Sequence, residues 1–257
     1  MNMEIYAPSA SLSPYIKTYL FIESQNELLN RILPDTAPVM AFRYKGQVDY
    51  QTAHDRITLP SSIISGLRKS FRLVNYAPNT GNLLVIFKEL GAKVFIREPL
   101  HELLDESISL ADITGYQSLS VFEEQLAFAP TNIQRINLLE QFLLSKLTYS
   151  KPDTLIFTAL HKIHTAKGVL RIKELANSLF ISQDAFEKRF RRVVGVSPKQ
   201  FCYIVRMKAS VNDGLKTNSL SELAFNAGYF DQAHFNKDFK LFTGQTPSDF
   251  LKSPALW

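Results

Sequence analysis

Cysteine is nearly missing, with one residue, Cys202, in 257. No disulfide can form within the chain, and no group of thiolates can hold a metal. Cys202 reads as a small buried apolar side chain. Glycine and proline are sparse as well, at 10 and 12 residues, which argues against a long disordered or low-complexity segment. No run approaches the roughly 18 apolar residues of a membrane span. Residues 1–13 lack the basic start and continuous apolar core of a signal peptide. A cytoplasmic protein with no membrane partner is expected. Catalytic signatures are missing too, with no nucleophile elbow, phosphate loop or metal-ligand spacing. His161 and His164 lie three apart on a predicted helix, but no third ligand is nearby. No catalytic residue, metal or cofactor is therefore assigned, and the chain is read as a non-enzyme.

At this length two domains, each able to bury its own core, are the default. Residues 151–257 carry 16 Lys and Arg against 9 Asp and Glu, a net +7, whereas residues 1–150 carry 13 against 15, a net −2. The basic excess thus belongs to one half, as a module that neutralises phosphates requires. In the other half, runs rich in β-branched and aromatic residues alternate with turn signals. They predict five or six strands, with candidates at 15–22, 39–44, 47–50, 63–66, 71–76 and 83–87. Tyr44-Lys45-Gly46-Gln47 is read as a hairpin turn, and a small β-barrel or sandwich would close the strand edges. After Lys88 the spacing turns helical, at 92–96, 100–104 and 121–127, then in a longer run from Thr131 to Tyr149. The stripe of Ile133, Ile136, Leu139 or Glu140, Leu143 and Leu147 on that last helix either covers the strands or pairs with a second copy. Ser150-Lys151-Pro152-Asp153 marks the boundary between domains 1–150 and 151–257. Pro152 disfavours helix at the residue before it, and Asp153 can cap the helix that follows. The expected class is α+β: a β-barrel or sandwich with a helical extension, then an all-α domain.

The second half contains a repeat. Glu174-Leu175-Ala176 answers to Glu222-Leu223-Ala224 at an offset of 48. Phe186, Phe190, Gly195, Pro198 and Phe201 answer to Phe235, Phe239, Gly244, Pro247 and Phe250 at an offset of 49. Each copy has the layout of a helix, a tight turn and a second helix. Ile172, Leu175, Ala176 and Leu179 line one face in the first copy, and Ser182 caps a second helix whose apolar side is Phe186, Phe190 and Val193 or Val194. In the other copy Leu220, Leu223, Ala224 and Ala227 precede Gly228, which suits a turn needing positive φ, and Phe235, Phe239 and Phe242 face inward. The outer faces of the two second helices are candidate surfaces for reading DNA. They carry Gln183, Asp184, Glu187, Lys188 and Arg191 in one copy, and Gln232, Ala233, His234, Lys237 and Lys240 in the other. Gln232 suits adenine, Lys188 guanine and Glu187 the amino group of cytosine. Ser197-Pro198 opens a helix to about Gly214 that links the copies rigidly, with Phe201, Ile204, Val205, Lys208 and Ala209 as its inward spacing.

Arg171-Ile172-Lys173-Glu174-Leu175-Ala176, the run from Ser182 to Phe190, Gly195-Val196-Ser197-Pro198, the run from Ala224 to Phe235 and the ending Phe239 to Pro247 closely resemble the AraC/XylS family of transcription regulators, over about residues 154–257. The resemblance implies one polypeptide with two recognition helices following an effector-binding or dimerising domain. Matched to the motif, Asp184, Glu187 and Lys188 take base-reading places in the first helix, and Gln232, Ala233, His234 and Lys237 in the second. Arg191 adds a phosphate contact. Asp184 and Glu187 depart from what a phosphate-facing helix needs, since two carboxylates repel phosphate.

Leu33-Pro34-Asp35 and Gly66-Leu67-Arg68 resemble the sensory domains that precede this module in some members, which implies a barrel-like, cupin-like shape. Asp35, Arg43, His54 and Arg68 are the polar candidates for effector binding, and a basic cluster runs from Arg68 to Arg72. The partners expected are double-stranded DNA, a small-molecule effector, a second copy of the chain and RNA polymerase, in the nucleoid. Two other functions compete with an effector-controlled regulator. In one, the first half is only a dimerisation or protein-interaction module. In the other the chain is a DNA-tethered repair enzyme, disfavoured because alkyl transfer needs activated thiolates.

Overall fold

The computed structural model describes residues 1–52, 54–117, 119–148, 151–214 and 219–252. It is α+β. Among the described residues ten strands are β1 (Asn2–Tyr6), β2 (Ile16–Ser24), β3 (Leu28–Ile32), β4 (Val39–Lys45), β5 (Val48–Gln51), β6 (Arg56–Thr58), β7 (Ser62–Ser65), β8 (Arg72–Tyr76), β9 (Thr80–Phe87) and β10 (Ser107–Ser109). They form two open sheets, in the orders β1-β2-β9-β4-β7-β10 and β3-β8-β5-β6, rather than a closed barrel. β9 and β4 form the centre of the larger sheet, and β2 pairs antiparallel with β9, Tyr19 opposite Val85 and Phe21 opposite Leu83. The period of two buries Tyr19 and Phe21 in β2, and Leu83, Val85 and Phe87 in β9.

Six strands were legible, and β1, β3, β6 and β10 were not. β6 is three residues long and exposed throughout, so it carries no apolar alternation. The reading of Tyr44-Lys45-Gly46-Gln47 as a hairpin is corrected. β4 pairs on both sides, with β7 and with β9, leaving no edge for β5, which pairs with β6 and β8 in the other sheet. The turn is a corner between sheets, and Gly46 makes it at φ +72, where a Cβ would lie 2.5 Å from Thr80 Oγ1.

The predicted helical turns at 92–96 and 100–104 are short 3-10 segments, Gly91–Val94 and Leu100–Leu103. Two α-helices follow, α1 (Ser120–Phe128) and α2 (Asn132–Lys146). Tyr149 and Ser150, taken above into the long helix and the boundary, lie outside the described residues. α2 packs within the chain. Leu139 and Leu143 are fully buried, Phe142 stacks on Phe122 of α1 at 4.1 Å, and Glu140 accepts from the Ser9 amide at 2.8 Å and the Tyr19 hydroxyl at 3.0 Å.

The chain divides into two compact units, one of Met1–Asn30, Ala37–Leu67 and Leu73–Lys151, the other of Arg31–Thr36, Arg68–Arg72 and Pro152–Trp257. The second contains α3 (Thr154–Thr165), α4 (Ile172–Ser178), α5 (Gln183–Val194), α6 (Pro198–Gly214), α7 (Leu220–Asn226), α8 (Gln232–Thr243) and α9 (Pro247–Lys252). Asp153 caps α3, accepting from the Ile156 amide at 3.0 Å, and holds Arg189 of α5 through two bonds of 2.8 and 2.9 Å. Among the described residues no helix is long and apolar enough to cross a membrane.

Candidate nucleic-acid interface

The two copies are built alike. α5 is capped by Ser182, which accepts from the Ala185 amide, and α8 by Asp231, which accepts from the His234 amide at 2.8 Å. Each ends on a left-handed glycine, Gly195 at φ +98 and Gly244 at φ +79. The same turn bond recurs 48 residues apart, from the Ile181 amide to the Ala176 carbonyl and from the Tyr229 amide to the Ala224 carbonyl. Leu175, Ala176, Phe186, Phe190 and Val194 are buried in one copy, and Leu223, Ala224, Ala227, Phe235, Phe239 and Phe242 in the other. Of the two valines offered for the first core, Val194 takes the place and Val193 stays part-exposed.

α6 touches both copies. Phe201 meets the Phe190 ring edge-on at 5.6 Å, and Tyr203 meets Phe242 at 6.0 Å and donates to the Asp238 carbonyl at 3.2 Å. The Arg206 guanidinium lies 4.6 Å above the Tyr229 ring, whose hydroxyl donates to Asp238 at 2.5 Å. Burial, with Asp238 beside it, pushes the Tyr229 hydroxyl well above the usual phenol range. These contacts make α6 a stiff connector. The Lys208 stem was read as lying on apolar surface; its ammonium pairs with Asp35.

With the phenylalanines turned inward, the other sides of α5 and α8 face solvent. Asp184, Lys188 and Arg191 of α5 are exposed, as are Gln232, Ala233, His234 and Lys237 of α8. Glu187 is half-covered, because Gln183 donates to it at 2.9 Å and Arg191 lies 3.6 Å from its other oxygen. That pairing partly neutralises one of the two carboxylates on the first helix. Gln183 and Gln232 occupy the same helical position, and so do Lys188 and Lys237, at an offset of 49. His234 faces its own cap, with Nδ1 3.2 Å from Asp231 Oδ2. The amide and ring of His234 hold the Asp231 carboxyl below the usual range.

The effector candidates fall in both units. Asp35 and Arg68 fall in the second unit, where Arg68 donates to the Leu33 carbonyl at 3.1 Å. Arg43 and His54 fall in the first. Arg43 donates to the Gly46 carbonyl and lines a cleft of about 420 Å3 with Ser61, Ser62, Ser109, Ser120 and Glu123. Glu123 accepts from Ser62 at 2.6 Å. Sequence reasoning missed the serines of this cleft, which are scattered over three segments. It also missed Phe180 and Phe230, which stand fully exposed in the two turns; the repeat, which sets Phe180 opposite Gly228, held the signal.

Residues 175–253 match the family model of a helix-turn-helix domain, and residues 4–109 match a domain of unknown function, DUF6597. The C-terminal region is a helix-turn-helix domain of the AraC type. The chain is 35% identical over 121 residues to the Msm operon regulatory protein of Streptococcus mutans, a match covering 45% of this chain and 43% of that protein. It is 30% identical to an HTH-type transcriptional regulator of Haemophilus influenzae over 47% of this chain and 40% of the relative. The chain thus covers less than half the length of these curated relatives. Among solved structures, ToxT from Vibrio cholerae is similar at a TM-score of 0.46 and 12% identity, over 98% of this chain and 97% of its own. The C-terminal domain of AraT from Geobacillus stearothermophilus is similar at 0.39 and 21%, over 42% and 92%.

Proposed function

We propose that the protein is a sequence-specific DNA-binding transcription regulator, in which α5 and α8 each enter a major groove of one duplex. The carrying observation is the pair of reading helices capped and packed alike on α6, each offering Gln at its first position and Lys five residues on. A stiff link of this kind favours successive grooves on one side of the DNA, about one turn apart. Asp184, Glu187, Lys188, Gln232, Ala233, His234 and Lys237 take the base-edge places, and Arg191 a phosphate. The relatives' descriptions as regulators agree with this reading. In the proposed division of labour, residues 151–257 bind DNA and residues 1–150 bind an effector or dimerise. The cleft lined by Arg43, Glu123 and the serines supports a small polar effector.

The test is selection of duplexes from a random pool by the full-length protein at two salt concentrations. Two enriched boxes about one helical turn apart support the reading. Salt-sensitive binding with no sequence preference overturns it. A second copy as partner is favoured by Val121, Phe128 and Ile133, all exposed on α1 and α2; light scattering showing a monomer at all concentrations would remove it.

A further inference from the structure

Phe180 and Phe230 are 99% and 104% exposed, so neither contributes to the core. Both sit just before a reading helix: Phe180 two residues ahead of the Ser182 cap, Phe230 one residue ahead of the Asp231 cap. Phe180 also holds a left-handed backbone, φ +56, at the repeat position where the other copy has Gly228 at φ +72. A side chain there is strained, and a β-carbon gains nothing for the turn. An aromatic ring kept in strain, with no burial in return, points to a partner outside the chain.

We infer that Phe180 and Phe230 are specificity contacts, each pressing its ring on the C5-methyl of a thymine beside the bases read by α5 or α8. The inference rests on the DNA-reading function proposed above. The occupant follows from placement. Each phenylalanine precedes the first turn of a reading helix, Phe180 three residues before Gln183 in one copy and Phe230 two before Gln232 in the other. The half of the chain carrying them has a net charge of +7, which draws in the duplex. The thymine methyl is the apolar group that the major-groove edges of the bases present. Burying one methyl against a ring changes affinity by about fourfold.

The experiment uses the full-length protein and the duplex enriched from the random pool, with thymines replaced one at a time by uracil to remove the methyl. Wild type is expected to lose about fourfold in affinity at one thymine in each box. Phe230→Ala is expected to bind the parent duplex several-fold more weakly and to be indifferent to uracil at its own position. Phe180→Gly is expected to do the same in the other box while raising the melting temperature by a few degrees, because glycine relieves the left-handed strain. Uracil penalties identical in wild type and variants, or variants that bind the parent duplex as tightly as wild type, overturn the inference and leave the regulator reading standing. If wild type enriches no motif, that reading falls and takes this one with it.

Discussion

Replacing Asp153 separates two interactions that one carboxylate makes at the start of the second unit. Its Oδ1 caps α3 at the Ile156 amide, and both oxygens receive the Arg189 guanidinium. Loss of an N-cap costs about 1 kcal/mol, within a range of roughly 0.5 to 2. The ion pair contributes at most about 1 kcal/mol, because the Arg189 side chain is 40% exposed and solvent screens it. Asp153→Ala should therefore cost about 2 kcal/mol. Asp153→Ser, which keeps a capping oxygen, should cost about half that, as should Arg189→Met. For a unit of roughly 100 residues, 1 kcal/mol shifts the melting temperature by about 4 to 8 °C. Circular dichroism melts read the totals. Hydrogen exchange at the Ile156 amide reads the cap alone, fast in the Ala variant and protected in the Ser and Met variants. Equal losses for Ala and Ser, with equal exchange at Ile156, would refute the capping argument.

Phe239, 1% exposed and set against Phe235 and Phe250 at 5.5 and 5.3 Å, should cost about 3 to 5 kcal/mol on truncation to Ala; an unchanged denaturation midpoint would show that it is not core. Arg191→Ala should weaken binding to all duplexes and lower the salt slope by about one, whereas Lys188→Ala and Gln232→Ala should each chiefly relax preference at one base pair. Titration of the three variants with selected and scrambled DNA checks this, and equal behaviour of all three would sink the assignment. Burial pushes the Cys202 thiol up to about 11, so native Cys202 should alkylate near pH 8 at least about 100-fold more slowly than the unfolded chain. In the window from about 9 to 11 the folded thiol holds a proton that the unfolded one has lost, so this group's contribution to stability falls as pH rises; denaturant midpoints that increase across that window would contradict it.

Cap chemistry carries its information in neighbouring residues. Asp153 and Ser182 can accept from an amide three residues on whatever surrounds them, so those helix starts were readable, and the Asp231 cap, of the same kind, was missed. The repeat was readable for the same reason, since each helix-turn-helix repeats its small, glycine and aromatic positions locally. Pairing across distance left no such trace. β4 already has two partners, so the turn after it cannot make a hairpin, yet nothing between Tyr44 and Gln47 records this. The carboxylate of Glu187 looked unfavourable as a lone charge, and its half-neutralisation by Gln183 and Arg191 depends on rotamers. Arg43 was a candidate by residue type alone, and the serines that line its cleft come from segments almost 60 residues apart.

By itself the sequence determined the α+β class, the unequal charge of its halves, the two helix-turn-helix copies, the Asp153 and Ser182 caps and the faces that carry Lys188, Gln232 and Lys237, because each follows from local propensity and periodicity. Only the tertiary structure decided that the strands form two open sheets and that Arg31–Thr36 and Arg68–Arg72 belong to the second unit with the helices. It also decided that Lys208 meets Asp35, and that Phe180 and Phe230 are left uncovered. These outcomes depend on which distant surfaces meet, and burial is a property of the folded arrangement, which no single stretch of chain encodes.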